Sequence, residues 1–142
     1  MTRSSRESDS DRHELELLAN ACHRADAYLR SIRDRPVFPG AAAVAALDAF
    51  DEPLPDQPSD PGETLRLLDT FGSPATTLSN GPRYFGFVIG GVLPAAAAAD
   101  RLLAAWDQCA STEVNSPAAA AIEAIAARWG LEILDLPRES EV

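Results

Sequence analysis

Lysine is missing altogether. All twelve basic residues are arginines, set against 22 acidic ones, and the formal net charge is −10. No side chain therefore offers the primary amine that a Schiff base requires. The acidic balance also argues against a nucleic-acid partner, whose phosphates call for a basic face. Cysteine is scarce. Cys22 and Cys109 have neither metal-ligand spacing nor the spacing of a disulfide framework, and read as free thiols in a reducing cytosol. The only histidines, His13 and His23, fall on one expected helix and point roughly opposite ways. No serine or cysteine nucleophile with a spaced histidine and acid can be read around them, so both are expected at the surface. Long apolar runs are absent too. The most apolar stretch, Tyr84 to Ala99, falls short of the roughly 18–20 residues of a membrane span. It contains Gly90-Gly91 and Pro94 and ends at Asp100-Arg101. The first ten residues have no apolar core and do not read as a secretory signal.

What is present is enough for one domain with a modest core: 142 residues, 46% of them hydrophobic. Residues 1–10, rich in Ser, Arg and acids, are expected to be a disordered tail. Residues 11–35 hold an amphipathic helix. Asp11 and Glu14 have capping-box spacing, and Leu15, Leu18, Cys22, Ala25, Leu29 and Ile32 form one apolar stripe over about 12–32. Such a helix needs a surface to cover, on this chain or on a partner. Residues 36–80 read as a proline-rich linker with short helices at Ala41–Phe50 and Gly62–Phe71 and no regular structure over Asp51–Pro61.

Residues 81–142 carry most of the aromatic side chains. Tyr84 to Ile89 is expected to be extended, with Phe85 and Phe87 on one face and Tyr84 and Val88 on the other. Gly90-Gly91 would allow close approach of a ligand or another chain. Pro94 opens a helix to about Gln108, with Leu102, Leu103 and Trp106 inward. Ser116-Pro117 caps and opens a last helix to about Leu134, with Ile122, Ile125, Trp129 and Ile133 on one face.

Candidate chemistry is sparse. Asp100 and Asp107 are two turns apart, too far for a carboxylate dyad, and with Glu113 they read as solvated charges. Asp107-Gln108 is better placed as a hydrogen-bonding pair at an interface. Gly90-Gly91 lacks both the G-x-G-x-x-G and the G-K-[ST] patterns of phosphate loops. Tyr84-Phe85-x-Phe87 is the best binding candidate, explained either by packing or by lining an apolar pocket.

The order Gly81-Pro82-Arg83-Tyr84-Phe85-Gly86-Phe87, Gly90-Gly91-x-Leu93-Pro94-Ala95, Ala99-Asp100, Trp106-Asp107-Gln108 and Ser116-Pro117…Glu123…Arg128-Trp129…Leu136-Pro137 resembles the N-terminal region of the group II pyridoxal-phosphate-dependent amino acid decarboxylases. The likeness starts near Arg35-Pro36-Val37 and takes in Ser73-Pro74-Ala75-Thr76. It departs at Cys109, where relatives often carry Asn, and at Ser111 to Val114, which replaces a more aromatic stretch. The resemblance implies a mainly α segment of a fold-type I enzyme, with one short extended aromatic stretch. It implies N-terminal helices that wrap a partner subunit, and substrate-pocket lining by Phe87, Val88, Ile89 and Gly90. It also implies pyridoxal 5'-phosphate in the complete enzyme. The family's phosphate-holding strand and helix, ring-stacking histidine, aspartate and Schiff-base lysine have no counterpart here. The expectation is therefore a fragment, catalytically inactive alone, with no cofactor or metal bound to it. It would act in a homodimer or with a complementary catalytic chain, in the cytoplasm and away from membranes and nucleic acid. The alternative is a non-enzymatic helical interaction module that pairs with a full-length decarboxylase. A third reading, an independent small-molecule-binding helical domain, rests only on the aromatic stretch.

Overall fold

A computed structural model describes residues 9–140, which are mainly helical and contain no strand. They divide into two units, one ending at Gly91 and one beginning at Val92, where the length alone points to one.

The first unit opens with α1, Asp9–Ser31. The helix starts ahead of the expected cap, so Asp9 and Ser10 leave the expected tail; the rest of that tail lies outside the described residues. Asp9 and Asp11 sit in the first turn and Arg30 in the last, each the sign that the helix dipole favours. Pro36 and Pro39 keep the helix from continuing. Next come α2, Ala41–Ala45, and a tighter 3₁₀ turn, Ala46–Phe50. Residues 51–60 are exposed and without helix, as four prolines over Pro53–Pro61 lead one to expect. Helix α3, Pro61–Leu67, begins where the Asp60 side chain accepts the Glu63 amide at 2.8 Å. It does not stop there. The winding widens into a π turn, Leu68–Gly72, and closes with a 3₁₀ turn, Ser73–Ala75. Phe71 meets Phe50 edge to face, with ring centres 6.4 Å apart.

The centre of this unit is Leu78, only 1% exposed. Its amide donates to the Val37 carbonyl at 2.9 Å, joining segments on either side of the short helices. A Cβ on Gly81 would stand 2.7 Å from Leu78 Cδ2 and 2.9 Å from its Cγ, so Gly81 is what lets the chain turn over that side chain.

The aromatic stretch departs from its expected form. It is a turn, not an extended piece: Ile89 donates to the Gly86 carbonyl at 3.1 Å, and Phe87 and Val88 between them have φ of 54° and 55°. Positive φ at both central positions belongs to the tight hairpin-type turns that glycine and asparagine normally supply. For a β-branched residue such as Val88 it is an outlier. No glycine among the described residues has positive φ, so Gly90-Gly91 does not use its conformational freedom.

In the second unit Pro94 takes the first turn of α4, Pro94–Trp106. Asp107 ends it in the left-handed region (φ 47°, ψ 50°), its amide donating to Leu103 at 3.1 Å. Helix α5, Pro117–Ile133, is capped as the sequence leads one to expect: buried Ser116 accepts the Ala119 amide on Oγ at 3.3 Å. Its far end closes with paired bonds from Leu136 to the Leu131 carbonyl and from Asp135 to Glu132, around Asp135 at φ 53°. This is the Schellman arrangement, with an aspartate where glycine is usual.

Few apolar side chains are buried. Among the described residues only Leu78 and Leu131 qualify. The stripe expected to bury α1 is open, with Leu15, Leu18 and Leu29 about half exposed. The side chains expected to point inward in the second unit, Leu102, Leu103, Trp106, Ile122, Ile125, Trp129 and Ile133, are exposed as well.

Candidate functional site

The face by which α1 is fastened is polar. Arg24 pairs with Asp69 at 2.9 Å, and Asp69 also accepts the Ser73 hydroxyl at 2.7 Å. Four residues on, the Tyr28 hydroxyl meets Thr76 Oγ1 at 2.7 Å. Beyond the helix end, the Arg35 guanidinium lies over the Tyr28 ring, 4.2 Å from its centre, and donates to the Ser73 carbonyl at 2.5 Å. Arg83 in turn donates to the carbonyl of Arg35. The Ser73 hydroxyl, and then Arg24, hold the Asp69 carboxyl below its ordinary pKa. These residues frame an open cleft of about 330 Å³, lined by Ala25, Tyr28, Leu29, Leu65 and Leu68 with Arg24, Asp69 and Ser73 at its polar end. Arginine suits this clamp because its fork can bond a carbonyl while its plane stacks on a ring. Arg24 lies off the apolar stripe expected for α1, and its carboxylate partner Asp69 is 45 residues away, beyond the reach of any local pattern.

Phe87, Val88, Ile89 and Gly90 sit together on the exposed turn and line none of the clefts described here. Phe87 is 86% exposed and Val88 fully so. A Cβ on Gly90 would meet nothing within 4 Å. Tyr84 is the aromatic of this stretch that packs, its ring centre 6.3 Å from that of Phe38.

In the second unit the loop between α4 and α5 is held by short-range bonds. Asn115 Nδ2 donates to Ser111 Oγ at 3.1 Å, and Cys109 Sγ lies 3.3 Å from the same oxygen. The Ser111 hydroxyl first, and its backbone next, draw the Cys109 thiol below its ordinary pKa. Gln108 Nε2 turns back to the Trp106 carbonyl at 2.8 Å, so Asp107-Gln108 acts as a helix end. A cleft of about 540 Å³ lies against Leu103, Gln108, Ala110, Ala119, Ile122 and Glu123. A further one of about 300 Å³ is lined by Arg128, Trp129, Leu131, Glu132 and Arg138. His13 and His23 are exposed on α1, and both cysteines are free and exposed.

Among the described residues no three His, Cys, Asp or Glu side chains gather closely enough to hold a metal ion, and no helix is long and apolar enough to cross a membrane. The residues present do not fit covalent pyridoxal phosphate either, since no lysine exists to bind it. Comparison with models of protein families, with curated proteins and with solved structures finds no match.

Proposed function

We propose that this chain is the N-terminal helical segment of a fold-type I, group II amino acid decarboxylase, and that it works by covering another polypeptide rather than by catalysis. The observation that carries the reading is the open apolar surface of α1, where Leu15, Leu18 and Leu29 face solvent along one stripe. Monomeric proteins rarely leave such surface contiguous and uncovered. The order of motifs from Pro82 to Pro137, which resembles that family's N-terminal region, supports the choice of family. In that assembly the lysine and the pyridoxal phosphate belong to another polypeptide segment. The exposed turn from Phe87 to Gly90 then lies at the substrate pocket, its strained backbone held for contact with something outside this chain. The proposed compartment is the cytoplasm.

The same open stripe serves a second arrangement, in which this chain is a non-enzymatic module that takes the place of a complete decarboxylase's own N-terminal region. One experiment tests both. The tagged chain is captured from its own cell, with a Leu18→Glu variant alongside, and bound proteins are identified by mass spectrometry. Recovery of a lysine-bearing decarboxylase chain, lost with Leu18→Glu, is the expected result. Whether the recovered chain carries its own N-terminal helices separates subunit from module. Recovery of no decarboxylase chain overturns both arrangements.

A further inference from the structure

The cleft at the end of α5 gathers two arginines beside an aromatic ring. Arg128 and Arg138 both line it, with Trp129 and Leu131 as apolar walls and Glu132 as the single acid. Neither guanidinium makes an ion pair or a side-chain hydrogen bond among the described residues, although the chain holds 22 carboxylates. Arg24 and Arg66, by contrast, are both engaged with acids. The cleft volume, about 300 Å³, is at the lower end for small-molecule sites and suits a ligand of one ring. The wall is also anchored. Leu131 is buried, and its carbonyl takes the closing bond from Leu136, which fixes the course of the chain leading to Arg138.

We propose that this cleft binds a small aromatic monocarboxylate. Two guanidinium forks meet the carboxylate, for which their planar donors are matched. The Trp129 indole, 62% exposed and so open to a partner, receives the ring. Glu132 sets the charge of the ligand: with two arginines and one acid the lining carries +1, which balances a monoanion and disfavours a dianion. The inference goes beyond the proposed function, since it rests on α5 and the segment after it and needs no decarboxylase chain.

The test is an NMR titration of the full chain. The two indole N–H signals are assigned with Trp106→Phe, and benzoate, benzamide and inorganic phosphate are added separately. Benzoate is expected to shift the Trp129 signal saturably and leave Trp106 in place. Arg128→Gln and Arg138→Gln are each expected to weaken binding roughly tenfold, the scale of one lost charge-assisted contact. Arg138→Lys should weaken it less, which separates lost charge from lost fold. Equal shifts with benzamide show adsorption on an apolar wall and overturn the proposal. Equal response to phosphate overturns the aromatic-carboxylate class. The absence of a saturable shift, or binding indifferent to both arginine variants, overturns the site itself.

Discussion

The two units are held together in different ways. In the first, side chains far apart in sequence fasten one helix: Arg24 to Asp69, Tyr28 to Thr76, and Arg35 to Ser73, around buried Leu78. In the second, the side-chain hydrogen bonds described for its loop and caps join residues six or fewer apart. The first unit therefore depends on its tertiary contacts, and α1 loses its fastening if they go. The second depends on good helix ends, on Pro94, Ser116-Pro117 and the closing turn at Asp135, and its helices are defined one at a time. Both leave apolar faces open, and among the described residues each has one buried apolar side chain, Leu78 in the first and Leu131 in the second.

The sharpest way to break this contrast is Leu78→Ala. Removing a buried leucine costs about 2–5 kcal/mol. Hydrogen exchange should then show α1 and α3 losing protection while α5 keeps its own. Equal loss in both units would end the distinction. A smaller effect is expected in the second unit from Ser116→Ala, about 1 kcal/mol for a lost cap. Exchange should rise over the first turn of α5 and leave α1 untouched; a change that spreads to the first unit would show coupling that the bonding pattern does not contain. The smallest effect concerns acid. The Asp69 carboxyl, held by Ser73 and Arg24, titrates below its ordinary value when folded. Its contribution is thus fully present above the unfolded value, near pH 3.9, and is lost as pH falls through the lower folded value. Amide exchange along α1 should rise there, and Asp69→Asn should abolish that dependence. A midpoint at or above the ordinary value would mean that the clamp does not hold the carboxylate.

Helix ends were legible in the sequence because their signals are local. Pro94, Ser116-Pro117 and the proline run from Pro53 to Pro61 act through geometry that the residue itself carries. The packed face of α1 was not legible. Apolar periodicity marks a face that wants covering, and on this chain the covering is not supplied by its own core. The polar side that is fastened depends on Asp69, Ser73 and Thr76, whose approach no local pattern announces. The stretch from Tyr84 to Ile89 shows the opposite failure. Its aromatic and β-branched residues favour an extended strand, but a strand needs a neighbour to pair with, and the chain folds it into a turn at a backbone cost. Of the candidate site, Phe87 to Gly90 is named only by the family resemblance, which does not announce the open turn on which these residues stand. Arg128 and Trp129 are neighbours in the sequence, with Glu132 one helical turn on from Arg128; what no local pattern announces is that the closing turn at Asp135 brings Arg138 to the same cleft.

The open apolar faces have a colloidal consequence. Two copies of this chain repel through a net charge of −10 each, felt across a Debye length of about 8 Å at physiological ionic strength. They attract only on contact, through leucines, valines and isoleucines that water does not favour. Salt shortens the repulsion and leaves the attraction in place, so any association of copies should strengthen as ionic strength rises, which light scattering across a salt series would register.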